Sequence, residues 1–481
     1  MFSCCSSSSS CCFGEKVKEE IILPIEIWDV DGKRMKDNNR HQRPRFVITA
    51  VTGGKTGTVQ PSTFDLGNPN QMILVAQYCQ SCPLQDTTNN GCPLPVPMQC
   101  HDDTTTKKQI RPKISQQQTC APSWPHGYVP AADLSFSTNE EQPSSAGKMK
   151  YPPNQPERYV SMQCFNNETH SRYTISATLN TLSFMDPKLT LHDQSQPTTT
   201  TTTTTTTYYT MNNVKIGAMV RTVPQIDRVW SNIGIGYHSQ FLNQIQSGAV
   251  LILPHNKTSL NNGPTIVFNA KKERYAHWSS SDFQVMFHRR VHSNVGIRIA
   301  SSSSSTKNDD SWTLLENEFF PNEGYSKTFH IDTGNDGIAL RSTHIQNSLA
   351  KSTGGLWISK HDLLDMFPTF ALDEHFLHHD EHTTKFLVVP TDFAQHTDDA
   401  KSKTDLIVEL SSTVHVRIPA NRWILPPANN EQEPQLFVPT IFFTYAKNVL
   451  GLPFILATEG MAYDDVNHRI HIQNNDYKQL H

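Results

Sequence analysis

The sequence predicts an all-β protein made of two lobes. Short apolar and β-branched runs recur between turn residues, for example at residues 46–51, 249–253 and 406–410, and runs of this length are typical of strands. Helical patterns are few, and the clearest lie at 239–246, 342–349 and 360–366. An apolar strand followed by Asp-x-Gly-Asn occurs once in each half of the 481-residue chain. This recurrence indicates an internal duplication.

The composition argues against several classes of protein. Hydrophobic residues make up 36% of the chain, charged residues 18%, and the formal net charge is −4. Because no basic stripe is present to neutralise phosphates, we expect no nucleic-acid partner. The longest apolar runs, such as 249–254 and 449–457, are shorter than the ~20 residues that a membrane-spanning helix needs. We therefore expect a soluble protein without a membrane span.

We divide the chain into a tail and two lobes. Residues 1–20 form a tail rich in cysteine and serine, residues 21–270 an N-terminal lobe with long inserts, and residues 271–475 a C-terminal lobe. The first residues lack the apolar core of roughly 7–15 residues found in secretory signals. Their clustered cysteines could accept palmitate. Two glycosylation sequons, at Asn167 and Asn256, favour secretion instead.

All ten cysteines lie at or before Cys164. Those between Cys79 and Cys120 occur in a Pro- and Asn-rich stretch and allow three interpretations. They could form a disulfide-knotted loop in an oxidising compartment, remain free thiols, or supply half of a zinc site at Cys79-x-x-Cys82. No matching second pair follows with zinc-ligand spacing, which disfavours the zinc site.

Two similar turns carry the candidate chemistry. Their residues are Asp65, Leu66, Gly67 and Asn68 in the first half, and Asp332, Thr333, Gly334 and Asn335 in the second. Two carboxylates held close together cannot both ionise, so they share a proton. The ionised carboxylate can take a proton from water while the protonated one donates to a carbonyl. A single Asp-x-Gly triplet is weak evidence, because such triplets commonly mark turns.

The surrounding residues resemble the pepsin-like aspartic protease family from about Phe46 to Ile472. The run VLGLPF at 449–454, followed by AYD at 462–464 and NHRI at 467–470, is similar to the family's C-terminal pattern. The run NIGIGY at 232–237 is similar to the corresponding segment of the first half. Tyr173 lies where the family's flap tyrosine is expected, and Cys79 and Cys82 lie where many members have a disulfide loop.

The resemblance implies a bilobal pepsin-like fold with two pseudo-symmetric β lobes and a central cleft. It also implies an acid endopeptidase, acting as a monomer on a peptide or protein substrate without metal or cofactor. The family is usually extracellular, endolysosomal or vacuolar. Asp65 and Asp332 would be the catalytic pair and Tyr173 would cover the substrate. The remaining substrate contacts would come from Gly67, Asn68, Thr333, Gly334 and Asn335.

Several residues depart from the family pattern. The family's first turn has a hydroxyl at the position of Leu66, so we expect Thr333 to lose its partner across the pseudo-twofold axis. Asn68 and Asn335 replace the hydroxyl residues that usually bond the carboxylates, although their amides could donate instead. Met72 replaces a tryptophan that braces the flap. These departures favour a second hypothesis, a catalytically inactive member that binds a peptide or protein in its cleft.

A rival alignment of the first half also exists. The run GNPNQ at 67–71 resembles the family's Gly-Thr-Pro-x-Gln, which comes one strand before the catalytic aspartate. In that alignment the first aspartate is missing. We prefer Asp65, because the Asp-x-Gly-Asn pattern recurs at Asp332 and the distance to Cys79 suits the family.

A separate histidine-rich segment lies at 375–382. On a helix, His375, His378, His379 and His382 would share one face and could bind a metal. The alternative, which we prefer, is an exposed polar loop in a chain with 22 histidines.

Overall fold

The computed structural model describes residues 19–29, 44–52, 58–68, 72–74, 134–136, 160–165, 170–185, 207–223, 231–255, 257–258, 261–262, 264–286, 288–299, 328–367, 384–395, 405–425 and 436–473. Strands predominate in these ranges, and the helices are short. The predicted all-β architecture of two β lobes is therefore confirmed. None of the helices in these ranges is long and apolar enough to cross a membrane.

The strands of the first half are β1 (Ile21–Pro24), β2 (Glu26–Asp29), β3 (Pro44–Thr52), β4 (Thr58–Asp65), β5 (Met72–Leu74), β6 (Leu134–Phe136), β7 (Val160–Phe165), β8 (His170–Met185), β9 (Thr207–Val223), β10 (Ser231–Gly234), β11 (Ala249–Leu253), β12 (Lys257–Thr258), β13 (Asn261–Asn262) and β14 (Thr265–Phe268). Those of the second half are β15 (Ser279–Asp282), β16 (Gln284–Met286), β17 (Arg289–Ser293), β18 (Gly296–Ile299), β19 (Thr328–Ile331), β20 (Ile338–Leu340), β21 (Leu356–Ser359), β22 (Lys385–Pro390), β23 (Leu406–Ser411), β24 (Val414–Ile418), β25 (Phe437–Thr444), β26 (Asn448–Leu450), β27 (Gly460–Asp464) and β28 (Arg469–Gln473). The helices are α1 (Gln240–Gln244), α2 (Thr343–Thr353), α3 (Lys360–Met366), α4 (Thr391–Gln395), α5 (Ala420–Trp423) and α6 (Leu452–Leu456), with a 3-10 turn at Lys272–Arg274.

Each half builds a large sheet, and a third sheet joins the halves. The first half forms a 9-stranded sheet in the order β2-β3-β4-β10-β5-β9-β8-β6, with β7 also paired to β8. The second half forms an 8-stranded sheet in the order β16-β17-β19-β26-β20-β25-β22-β21. The 6-stranded sheet β1-β14-β11-β27-β28-β15 takes strands from both halves. Strands β18, β23 and β24 form a smaller sheet.

The two large sheets share one internal pattern. In the first, β10 lies parallel to β4 and antiparallel to β5, and β5 lies parallel to β9. In the second, β26 lies parallel to β19 and antiparallel to β20, and β20 lies parallel to β25. Because β4 and β19 are the strands that lead into the two Asp-x-Gly turns, the repeated topology gives both turns the same support.

Buried apolar side chains anchor the two strands that lead into the turns. In β19, Phe329 and Ile331 are buried in the core, which leaves His330 on the opposite face. In β4, Phe64 is fully buried and stacks on Phe46 with the ring centroids 5.6 Å apart. Burial of one such aromatic side chain contributes on the order of 2–3 kcal/mol. Both turns therefore follow directly from well-packed core residues.

Serine side chains begin the three helices that the sequence predicted. Ser239 accepts a hydrogen bond from the backbone of Leu242 at the start of α1. Ser342 caps α2, which ends at Gly354 with φ 65°, a conformation that glycine adopts without strain. Ser359 and Asp362 form a reciprocal capping box at the start of α3. The helix boundaries thus follow from local sequence.

Arg290 links the three large sheets. It lies in β17 and is buried, and its Nε and Nη2 each donate to one carboxylate oxygen of Asp465 at 2.6 Å, just after β27. Its Nη1 donates to the carbonyl of Ile235, just after β10, at 3.0 Å. The guanidinium also lies 4.7 Å from the ring centroid of Tyr463. The three sheets are thereby fixed to one another through a single side chain.

We predict that Arg290→Met lowers the free energy of unfolding by about 3–5 kcal/mol, because Asp465 would keep a buried, unpaired charge. Urea titration followed by tryptophan fluorescence measures the loss. The double variant Arg290→Met/Asp465→Leu should recover part of it. Arg469→Met is the matched control, since its pair with Asp282 has side chains 47% and 84% exposed and should contribute little. Equal losses in the two single Arg variants would contradict the buried-pair interpretation.

Candidate active site

The two Asp-x-Gly turns meet face to face. A methyl group on Gly67 would lie 2.5 Å from Oδ2 of Asp332, and one on Gly334 would lie 3.0 Å from Oδ2 of Asp65. Each carboxyl group therefore packs against the glycine of the opposite turn. Only a residue without a side chain permits this approach, so the glycines bring the carboxyl groups of Asp65 and Asp332 into one site.

Each turn holds its own carboxylate in the same way. The amide of Gly67 donates to Oδ1 of Asp65 at 2.7 Å, and the amide of Gly334 donates to Oδ1 of Asp332 at 2.8 Å. Backbone donors of this kind stabilise negative charge and orient the group. In both turns Oδ1 is occupied by this bond and Oδ2 is the oxygen nearer to the other turn.

Each turn also accepts a backbone hydrogen bond from a neighbouring segment. This segment follows β10 in the first half and β26 in the second. The amide of Gly236 donates to the carbonyl of Asn68 at 3.0 Å, and the amide of Leu452 donates to the carbonyl of Asn335 at 2.7 Å. These apolar-Gly segments are the ones that carried the family resemblance in the sequence. They lie directly beside the two turns.

The expectation that Thr333 loses its partner is wrong. Its hydroxyl donates to the carbonyl of Phe64 at 2.6 Å and accepts from the amide of Leu66 at 3.0 Å. Both bonds reach the backbone of the opposite turn, so they do not need a hydroxyl at position 66. Leu66 instead packs its side chain into the hydrophobic core, where it is 2% exposed. Thr333 thus bonds the backbone of the first turn without any hydroxyl at position 66.

Asn232 contacts the first aspartate although the sequence did not mark it as a site residue. Its Nδ2 lies 3.5 Å from Oδ2 of Asp65, and the hydroxyl of Thr63 lies 3.3 Å from its Oδ1. Asn232 is a buried polar residue in β10, whose sequence is SNIG, and its place at the start of the run NIGIGY is the signal that could have identified it. Asn335 turns toward its own loop, where its Oδ1 accepts from the amide of Gly337 at 3.0 Å.

The environment of the pair distinguishes the two carboxyls. Burial, then the negative charge of Asp332 and a hydrogen bond with it, raise the pKa of Asp65 well above its usual value. The amide of Gly67 and the charge of Arg289 oppose this rise without cancelling it. Two carboxyls this close cannot both ionise, and the raised pKa of Asp65 favours that residue as the holder of the proton they share.

Basic residues that the sequence did not mark lie beside Asp332. Nε2 of His330 is 3.8 Å from Oδ2 of Asp332. Burial lowers the pKa of His330 to about 4 despite the attraction of that carboxylate, so the imidazole is neutral over most of the acidic range. Arg289 donates from Nε to the carbonyl of Gly67 at 3.0 Å. The charge of Lys447 also interacts with Asp332.

Other predicted residues lie away from this geometry or outside it. Tyr173 is in β8, where its backbone pairs with Met162 of β7 and Arg221 of β9, and its side chain is outside the described residues. Met72 is in β5, paired with Asn232. The histidine segment at 375–382 and the cysteines before Cys164 lie outside the described ranges, as does the tail up to residue 18. In the ranges that are described, no group of His, Cys, Asp and Glu could hold a metal ion.

Comparison with solved structures finds similarity to an aspartic proteinase from Irpex lacteus, at 12% sequence identity and a TM-score of 0.49. The alignment covers 96% of this chain and 99% of that one. No protein-family model matches the sequence. No curated protein sequence matches it either.

We predict that Gly67→Ala separates the two turns, because the new methyl group would overlap the carboxylate of Asp332. The expected cost is about 1–3 kcal/mol of folding free energy, the usual range for overpacking, measured by chemical unfolding. Gly248→Ala is the matched control, since its methyl group would meet only a side-chain carbon of Val466 at 3.1 Å, and Val466 is 77% exposed. If both variants unfold alike, the close approach of the turns is incorrect.

We also predict that Asp65→Asn stabilises the protein above about pH 4 and has little effect at pH 3. Because the pKa of Asp65 is raised from its usual value of 3.8, the folded state binds more protons than the unfolded state between the two pKa values. The free energy of unfolding therefore falls as pH rises through that window. Each unit of difference between the folded and unfolded pKa values lowers it by about 1.4 kcal/mol. The test is the melting temperature at pH 3 and pH 7, with the exposed Asp282→Asn as control. A stabilisation independent of pH would contradict the assignment.

Proposed function

We propose that this chain is an aspartic-type endopeptidase that hydrolyses peptide bonds with one water molecule, activated between Asp65 and Asp332. The observation that carries the proposal is the face-to-face approach of two equivalent turns. Each turn presents one carboxyl group, and each carboxyl group is held by the amide of its own glycine. An extended peptide would lie across this pair, with Tyr173 covering it.

The environments of the two carboxyls support distinct chemical roles. With the shared proton on Asp65, whose pKa burial raises, Asp332 would take a proton from the water, whose oxygen then attacks the carbonyl carbon. Asp65 would donate its proton to the carbonyl oxygen, which gives a neutral gem-diol. Collapse of this intermediate breaks the C–N bond, as Asp332 donates the proton it took from the water to the leaving nitrogen. One hydroxyl of the gem-diol returns its proton to Asp65 and becomes the product carbonyl, which restores the starting protonation of the pair. General acid–base steps of this kind contribute typically 10²–10⁴-fold each.

The hydrogen bonds of Thr333 support the view that the pair can be held in working order without a hydroxyl at position 66. A displacement of ~1 Å can cost about a hundredfold in rate, so the alignment of the turns matters more than their sequence. Thr333 bonds two backbone groups of the first turn, at 2.6 and 3.0 Å. The carbonyl of residue 64 is present whatever the side chain, and the amide of residue 66 is present in every residue except proline, so these bonds do not depend on the side chain at position 66.

We predict cleavage of an unfolded protein substrate between about pH 3 and 6, where a shared-proton pair works. Asp332→Asn and Asp65→Asn should each reduce kcat/KM by at least ~10³-fold, and a pepstatin-type inhibitor should abolish cleavage by the wild type. The exposed Asp282→Asn should retain full activity. Absence of cleavage by correctly folded wild-type protein would refute the endopeptidase proposal.

Leu66 favours a second candidate function, a cleft that binds a peptide or protein without cutting it. The pseudo-twofold relation between the turns implies that a threonine at 66 would bond the backbone around Thr333. Leu66→Thr with Asn68→Ser separates the two candidates. An enzyme weakened by Leu66 should gain activity in this variant, whereas a binding protein should gain none and should keep or lose affinity for its partner.

A further inference from the structure

We propose that Arg289 is a positioning residue of the aspartate pair, which holds the turn of Asp65 from the opposite half of the chain and sets the upper pH limit of the pair. This role rests on the proposed function, because the reaction depends on how the two carboxyls are held. Arg289 is the first residue of β17, whereas the turn that it bonds follows β4 of the first half. The link therefore crosses from one half to the other.

The bond reaches the glycine that orients the first aspartate. Nε of Arg289 donates to the carbonyl of Gly67 at 3.0 Å, and the amide of Gly67 donates to Oδ1 of Asp65 at 2.7 Å. One glycine thus connects the guanidinium to the carboxyl group. A shift of Gly67 would move the donor that orients Asp65, and a displacement of ~1 Å can cost about a hundredfold in rate.

Strand register brings the same side chain to the second aspartate. Val291 of β17 pairs with His330 of β19, and this register continued toward the turn puts Arg289 opposite Asp332. Side chains of directly opposed residues lie on the same face of a sheet. Arg289 therefore lies on the face of Asp332 while it bonds the turn of Asp65.

Arg289 and Thr333 bond the first turn at different residues. The hydroxyl of Thr333 bonds the backbone of Phe64 and of Leu66, whereas Arg289 bonds the carbonyl of Gly67. Each link fixes its own part of the turn. The bonds of Thr333 therefore do not replace the one from Arg289.

The charge of Arg289 also acts on the proton that the pair shares. Burial, then the negative charge of Asp332 and a hydrogen bond with it, raise the pKa of Asp65, whereas the amide of Gly67 and the charge of Arg289 lower it. A positive charge favours the ionised form of a neighbouring carboxyl group. Removal of this charge should therefore raise the pH at which the pair loses its shared proton.

Other titratable groups approach the pair from the neighbouring elements. Arg45 is the counterpart of Arg289 in the first half, because the register of β3 with β4 continued by two residues puts it opposite Asp65. Lys447 precedes β26, at the end of that strand away from the turn. Burial lowers the pKa of His330 to about 4, so this histidine titrates in the acid limb of a pH profile. The alkaline limb is therefore the one that reports the pair. The groups facing the pair are Asp332, His330, Arg45, Tyr445 and Lys447.

Two substitutions separate the bond from the charge. Arg289→Gln has an amide nitrogen the same number of bonds from the backbone as Nε, so the bond to Gly67 can form without the charge. Arg289→Lys keeps the charge but has a carbon atom at that position, so this bond is lost. Arg469→Met is the control, since the side chains of Arg469 and its partner Asp282 are 47% and 84% exposed.

We expect the two variants to change different parts of the pH profile of cleavage of an unfolded protein substrate. Arg289→Gln should shift the alkaline limb of kcat/KM upward by about one pH unit and keep kcat at the optimum within about threefold. Arg289→Lys should lower kcat by at least ~10-fold with KM and the alkaline limb unchanged. Arg469→Met should match the wild type.

A second measurement does not depend on cleavage. The gain in melting temperature caused by Asp65→Asn should grow with pH until the pH reaches the pKa of Asp65 in the folded protein, and should then level off. In the Arg289→Gln background the pH of levelling should be about one unit higher than in the wild type. In the Arg289→Lys background it should be unchanged. Melting temperatures between about pH 3 and 9 cover this range.

Several results would overturn the inference. If Arg289→Gln shifts neither the alkaline limb nor the pH of levelling, the charge does not act on the pair. If Arg289→Lys keeps full kcat, the bond to Gly67 does not position the turn, and a higher KM in that variant would make Arg289 a substrate contact. If the wild type does not cleave but the pH of levelling shifts as expected, the proposed function fails while the action of Arg289 on Asp65 stands.

Discussion

The close approach of the two Asp-x-Gly turns is the constraint on which the rest of the structure depends. Gly67 and Gly334 each lie against the carboxyl group of the opposite turn. The turns can approach this closely because neither glycine has a side chain. The sheet-linking contacts of Arg290 fix the three sheets at a distance from this point. The geometry of the cleft therefore depends on the contact between the two turns and on the buried ion pair between Arg290 and Asp465.

The two Asp-x-Gly turns are alike in their backbone support but differ in the side chains around them. The pattern β4-β10-β5-β9 and its counterpart β19-β26-β20-β25 make the two turns equivalent in backbone geometry. The side chains near them are not equivalent, because Thr63 and Asn232 lie beside the first turn where His330 and Val449 lie beside the second. Backbone symmetry brings the carboxyls together, and burial raises the pKa of Asp65 within the pair.

Local patterns in the sequence were sufficient for the fold class and for the two turns. Alternating apolar residues and an Asp-x-Gly after a strand are properties of neighbouring residues, so they can be read without a structure. The partners of Thr333 could not be found in this way, since they are backbone groups of Phe64 and Leu66, on the opposite turn. Arg289 was missed because only the pairing of β17 with β19 brings it opposite Asp332.

The two turns are joined without a hydroxyl at position 66. A hydroxyl that both donates and accepts satisfies two backbone groups, and Thr333 does this alone. Leu66 meanwhile adds apolar surface to the core, and a buried leucine contributes on the order of 2 kcal/mol. Position 66 therefore contributes hydrophobic packing, while Thr333 supplies the polar link between the turns. The stability of the junction and the acid–base chemistry at its surface thus depend on different residues.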